Sequence, residues 1–128
     1  MNNYLWDTYS IVALFEGSPA YKDLRMAHII TTPFAIMEAC YILQKNLGWS
    51  LQQCADLAET MMESAPSLDG RLLAAAATWR LQRSTRRMQY SYADSFGYML
   101  SQRLGIVFLT GDRSFEGLPG VEIRRERK

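Results

Sequence analysis

The chain reads as an α/β fold in which helices cover both faces of a mainly parallel sheet. Three observations predict it. Short apolar runs at residues 4–7, 106–110 and 121–123 alternate with longer segments of helical periodicity. No hairpin dipeptide joins neighbouring strand candidates, so the strands must return through crossovers. Finally, 48% of the 128 residues are hydrophobic and no polar tract interrupts them, which supports one core and a single domain spanning residues 1–128.

Each element has a local reason. Tyr4 to Asp7 is a short buried strand, and after Ser10 the run Ile11 to Phe15 starts a helix that Gly17 stops. Asp7 then falls in the strand-to-helix turn. Pro19 opens a second helical stretch to about Met26, followed by the apolar segment His28 to Ile30. Thr32 and Pro33 form a helix start, with a capping hydroxyl and a proline in the first turn, and the helix runs to about Asn46. Ser50 and Gln53 have capping-box spacing for a helix to about Ser64, which Pro66 closes. Residues 68–87 are again helical, with Leu72, Leu73, Ala76, Trp79 and Leu81 as candidate inward positions. Ser91 caps a helix ending near Gly105. Ile106 to Thr110 is the strongest strand, Val121 to Ile123 is the last, and the basic tail 124–128 is expected to fray.

Bulk properties exclude several classes. A net charge of +1 announces no global field for nucleic acid, so any polyanion site must be local. Cys40 and Cys54 sit in apolar or helical patterns and His28 is the sole histidine, which supports neither a zinc site nor a disulfide scaffold. A reduced cytoplasmic setting is expected. No apolar run approaches the roughly 20 residues needed to span a bilayer, and the start lacks a basic leader, so no membrane partner is expected.

Four acids stand out: Asp7, Glu38, Asp94 and Asp112 each touch an apolar run. An isolated buried carboxylate costs several kcal/mol unless it is neutralised or paired. Four of them in a small domain point to a divalent metal site. Mg²⁺ and Mn²⁺ favour oxygen ligands, lower the pKa of bound water and stabilise both oxygens of an in-line phosphodiester displacement. Asp7 and Asp112 also fall beyond the carboxyl ends of strands, where ligands gather in parallel sheets.

These residues resemble a known family, the PIN-domain ribonucleases, and within it the VapC-type toxins of toxin–antitoxin pairs. Asp7-Thr8 is similar to the opening Asp-Ser/Thr element, and Glu38 in its helix to the second acid. Tyr92-Ala93-Asp94-Ser95-Phe96 resembles the third-acid helix, and Thr110-Gly111-Asp112 with Phe115 resembles the closing element. Tyr9 and Ser114 depart from the pattern, where Asn or Ser and a further acid are frequent. The resemblance implies a PIN-like three-layer α/β/α sandwich and endonucleolytic cleavage of RNA. It further implies Mg²⁺ or Mn²⁺ held by Asp7, Glu38, Asp94 and Asp112, an inhibitory antitoxin partner and a homodimer.

Around these acids, Thr8 and Thr110 are candidate hydrogen-bond partners that orient carboxylates. Arg113, beside Asp112, is placed to reach a phosphate, and Arg80, Arg83 and Arg87 share a helical face that can track an RNA backbone. Plainer roles exist: an N-cap for Asp7, a capping box for Ser91 with Asp94, a turn for Asp112 and a solvated face for the arginines. Tyr90, Tyr92 and Tyr98 suit core packing or a dimer contact ahead of base stacking. The alternative function is a catalytically weak PIN-like module that binds RNA or antitoxin.

Overall fold

The structure, a computed structural model, describes residues 3–25 and 27–125. Three parallel strands, β1 (Tyr4–Trp6), β2 (Val107–Thr110) and β3 (Val121–Ile123), form a sheet in the order β1-β2-β3. Leu5 pairs with Phe108 and Trp6 with Leu109, while Leu109 pairs with Glu122. On the outer side of β1, Ile30 makes a single parallel bridge to Leu5. The apolar segment at residues 28–30 thus extends the sheet by one contact.

Among the described residues five helices cover this sheet: α1 (Thr8–Glu16), α2 (Pro33–Leu47), α3 (Leu51–Met62), α4 (Gly70–Arg83) and α5 (Tyr92–Leu104). Their starts follow the predicted chemistry. The Thr32 hydroxyl accepts from the Ala35 N–H with Pro33 at the first helical position, and Ser50 with Gln53 closes a reciprocal capping box. Between α5 and β2 the chain turns through Gly105 at φ 68°, a left-handed conformation that a side chain disfavours. Pro19–Leu24 is a 3-10 helix, and Met26, where that stretch was expected to end, lies outside the described residues.

The pleat divides the core in two. Trp6 and Leu109 face Ile11, Ile36, Leu43 and Met61 from α1, α2 and α3. Leu5 and Phe108 face Leu72, Phe96 and Leu100 from α4 and α5, with Phe115 joining from beyond β2. Helix, sheet and helix stack as three layers, the expected α/β/α sandwich.

Three expectations need correction. Helix α4 stops at Arg83, four residues short, because the Thr85 hydroxyl accepts from the Met88 N–H and Ser84 turns extended. Such local side-chain bonds compete with the helical ladder. Leu73 and Leu81 are exposed, Leu81 at 79%, since α4 packs through Leu72, Ala76 and Trp79 and position 81 points away from that stripe. The tail does not fray at its start. The Arg124 N–H donates to the Thr110 carbonyl, and its guanidinium pairs with Asp23 and Glu122. Residues 126–128 of that tail lie outside the described residues.

Candidate active site: an acidic edge of the sheet

Because β1 and β2 are parallel neighbours, their carboxyl ends meet at one edge, and the Asp7 N–H donates to the Leu109 carbonyl at 3.0 Å. Asp7 is 4% exposed and caps α1: its Oδ1 accepts from the Ser10 N–H at 2.7 Å. Its Oδ2 accepts from the Thr110 hydroxyl at 2.5 Å. The same hydroxyl oxygen accepts from the Asp112 N–H at 2.9 Å. Asp112 in turn receives both the Ser114 N–H and the Ser114 hydroxyl on Oδ1, at 2.9 and 2.6 Å. Thr110 thereby ties two acids from opposite ends of the chain to one oxygen.

Asp94 enters from the first turn of α5, where its N–H donates to the Ser91 hydroxyl at 2.9 Å. Glu38 enters from α2, and the Thr8 hydroxyl donates to its Oε2 at 3.2 Å. Burial pushes the Asp94 carboxyl up to about 7, and the negative charges of Asp7, Asp112 and Glu38 push it the same way. Burial likewise raises Asp7 to about 6, opposed by the Thr110 and Ser10 hydrogen bonds, with Asp112 adding to the rise. The four acids therefore share one field. Among the described residues none of them is in a salt bridge.

Burial corrects the argument from apolar neighbours. Only Asp7 is buried; Asp94 and Asp112 are half-buried, and Glu38 is exposed. The apolar neighbours of Glu38 split, with Ala35, Ile36 and Ala39 inward and Met37 and Tyr41 outward on the solvent face. Its place in the site comes from Thr8 and from its charge at Asp94, not from desolvation.

The donor set is made of carboxylate oxygens alone, with neither imidazole nor thiolate, which fits a hard divalent cation. As placed, no three His, Cys, Asp or Glu side chains among the described residues form a cluster able to hold an ion. Mg²⁺, which usually takes one or two carboxylates and keeps several waters, does not need such a closed cage. A cavity of about 630 Å³ lies elsewhere, against Leu14, Phe15, His28, Leu57 and Met61.

The other sequence-predicted residues divide. Thr8 and Thr110 both reach a carboxylate. Arg113 is exposed beside Asp112, in the 3-10 turn Arg113–Phe115. Arg80 and Arg83 lie on α4, but Arg87 lies beyond its end and shares no helical face with them. Two supporting residues stand outside the predicted set: Ser10, which escapes sequence reasoning, and Ser114, noted in the sequence as a departure from the family pattern. Their signal is a serine two or three positions after an aspartate, the spacing of an Asx turn or helix cap.

Comparison with known proteins agrees with this architecture. No family model and no curated protein matches the sequence. Among solved structures, the chain is similar to VapC20 of Mycobacterium tuberculosis, described as a sarcin-ricin loop cleaving toxin. The TM-score is 0.72 at 20% identity, over 96% of this chain and 100% of that one. It is also similar to a chain of a toxin–antitoxin complex from Klebsiella pneumoniae, with a TM-score of 0.72 at 18% identity, over 94% of this chain and 96% of that one. A TM-score of 0.72 over nearly the whole of both chains makes the likeness one of architecture, and the chain has a PIN-like α/β/α fold, the fold of VapC20.

Proposed function

We propose that this protein is a Mg²⁺- or Mn²⁺-dependent endoribonuclease, the toxin of a VapBC-type pair, acting in the cytoplasm as a homodimer restrained by a cognate antitoxin. The observation that carries the reading is the convergence on Asp94 of charge from Asp7, Asp112 and Glu38, with no described cation paired to any of them. A protein of the same fold is described as cleaving the sarcin-ricin loop, which supports RNA as the substrate class.

Asp7, Asp94, Asp112 and Glu38 would hold the cation, with Thr110, Ser10, Ser114 and Thr8 fixing carboxylate directions through the hydrogen bonds above. A bound divalent ion supplies positive charge that activates water and stabilises developing negative charge on phosphate. The chain's own part is orientation. Asp7 cannot rotate while Thr110 and Ser10 hold its two oxygens. Arg113 stands exposed at the rim, where a substrate phosphate would meet a cation.

The test is cleavage of oligoribonucleotides with Mg²⁺ or Mn²⁺, comparing the native chain with Asp7→Asn and Asp94→Asn. Activity that disappears in both variants while the fold persists supports the reading; equal activity in all three overturns it. One observation favours a second reading, a catalytically weak RNA- or antitoxin-binding module: the lack of a ready three-ligand cluster among the described residues. Calorimetric Mn²⁺ titration separates them, because RNA binding without metal uptake belongs to the second.

A further inference from the structure

Three tyrosines, Tyr90, Tyr92 and Tyr98, lie within four residues of Asp94 along the chain, and the fold sorts them. Tyr90 and Tyr98 are buried, their hydroxyls donating to the carbonyls of Ser114 and Pro119. Tyr92, the first residue of α5, is instead 74% exposed. The Arg80 guanidinium stands 4.2 Å from its ring centroid. That guanidinium is itself fixed, because its Nε–H donates to the Tyr90 carbonyl at 2.7 Å. An exposed ring backed by an anchored cation is held in place before any ligand arrives.

Beside the ring lies a cleft of about 100 Å³, walled by Phe34, Leu73, Ala76, Ala77 and Phe96, with Ser95 its polar member. It is too small for a nucleotide but open to the edge of a planar ring. Cleft and acids share two helices. Ser95 follows Asp94 directly, and Phe34 stands four residues, about 6 Å of helical rise, before Glu38.

We propose that Tyr92, backed by Arg80, is a nucleobase-stacking subsite that holds one base of an RNA strand beside the acidic edge; this rests on the ribonuclease reading above. Every base offers a π-face, so a ring here tolerates many sequences while fixing strand register. Positive charge argues for RNA over an apolar protein segment. Arg80 is in no salt bridge among the described residues, and Arg83 is exposed further along α4. Both complement a phosphate backbone.

The experiment uses the full chain, Tyr92→Ala and Tyr92→Phe, with an oligoribonucleotide and a set of copies each lacking one base. Anisotropy reads binding without metal, and cleavage is followed with Mn²⁺. Tyr92→Ala should weaken binding and raise KM by about 5- to 150-fold, the cost of one lost stack, with kcat nearly unchanged; Tyr92→Phe should behave as native. One abasic position should weaken the native chain and leave Tyr92→Ala indifferent. Native cleavage with Tyr92→Ala equal to native on every oligonucleotide overturns the subsite and leaves the ribonuclease reading standing. If nothing is cleaved, binding decides: the Tyr92→Ala loss with its abasic signature upholds the subsite alone, and unchanged or undetectable binding overturns it. A shift of Tyr92→Ala from dimer to monomer in sedimentation, with RNA binding unchanged, assigns the cleft to a second copy and also overturns the proposal.

Discussion

The Thr110 hydroxyl donates to the buried Asp7 carboxylate across 103 residues of sequence. Its oxygen also accepts from the Asp112 N–H, so the bond to Asp7 fixes the turn that presents the second acid. Thr110→Val, close in volume, removes both interactions and leaves Oδ2 of the buried Asp7 carboxylate and the Asp112 N–H without partners. The expected cost is about 1–3 kcal/mol by urea unfolding at neutral pH. Thr110→Ser, which keeps the hydroxyl, should recover most of it. Equal stability of native chain and Thr110→Val would show that water replaces the hydroxyl.

Acidity should stabilise the metal-free protein within a defined window. Asp7 and Asp94 both titrate above their ordinary value of 3.8 in the folded chain, at about 6 and about 7. The folded state therefore holds protons that the unfolded state has released. Their contribution is full below about pH 4 and is lost as the pH rises through 6 and 7. For Asp7 alone it amounts to roughly 2–3 kcal/mol at most. Thermal melts in chelator should show a higher Tm at pH 5 than at pH 8, and Asp94→Asn should flatten part of that slope. A native Tm that rises steadily from pH 5 to pH 8 contradicts the shifts.

Divalent cations should reverse the penalty at neutral pH. Binding to the folded state alone stabilises by about 2.7 kcal/mol when the ion is at a hundred times its dissociation constant. Mn²⁺ at pH 7.5 should then raise the native Tm by several degrees and that of Asp94→Asn by much less. An equal rise in both chains would place the ion elsewhere.

Gly111 offers a steric test of the same turn. A Cβ built on Gly111 would stand 2.1 Å from the Tyr9 ring, so the ring must move. Gly111→Ala should cost about 1–3 kcal/mol, the usual range for overpacking. In Tyr9→Ala the same change should cost little, and the double-mutant cycle measures the difference. Additive losses would show that the glycine answers to something other than Tyr9.

The strand ends and helix caps are legible because short-range chemistry sets them: Thr32 with Pro33, Ser50 with Gln53 and Ser91 all cap as their spacing requires. Asp7 shows that a plain role leaves room for the proposed one, since its cap bond to Ser10 also fixes the carboxylate at the sheet edge. What escapes sequence reading depends on rotation about an axis or on distant partners. Glu38 has apolar neighbours yet is exposed, because α2 turns those neighbours to both sides. Leu81 continues an apolar pattern on α4 but lies opposite its contact stripe. Arg124 reads as part of a solvated tail, and only the folded chain brings Asp23 to it. Arg87 loses its place on α4 to a hydroxyl three residues before Met88.

Parallel pairing of β1 with β2 also bears on biosynthesis. Asp7 leaves the ribosome more than a hundred residues ahead of its partner Thr110. Until Thr110 follows, the emerging polypeptide carries acids with no common pocket, and contacts of such sequence separation form late. On the ribonuclease reading proposed above, a growing copy has no assembled acidic edge to turn on the transcript being read until β2 has been made and has paired with β1.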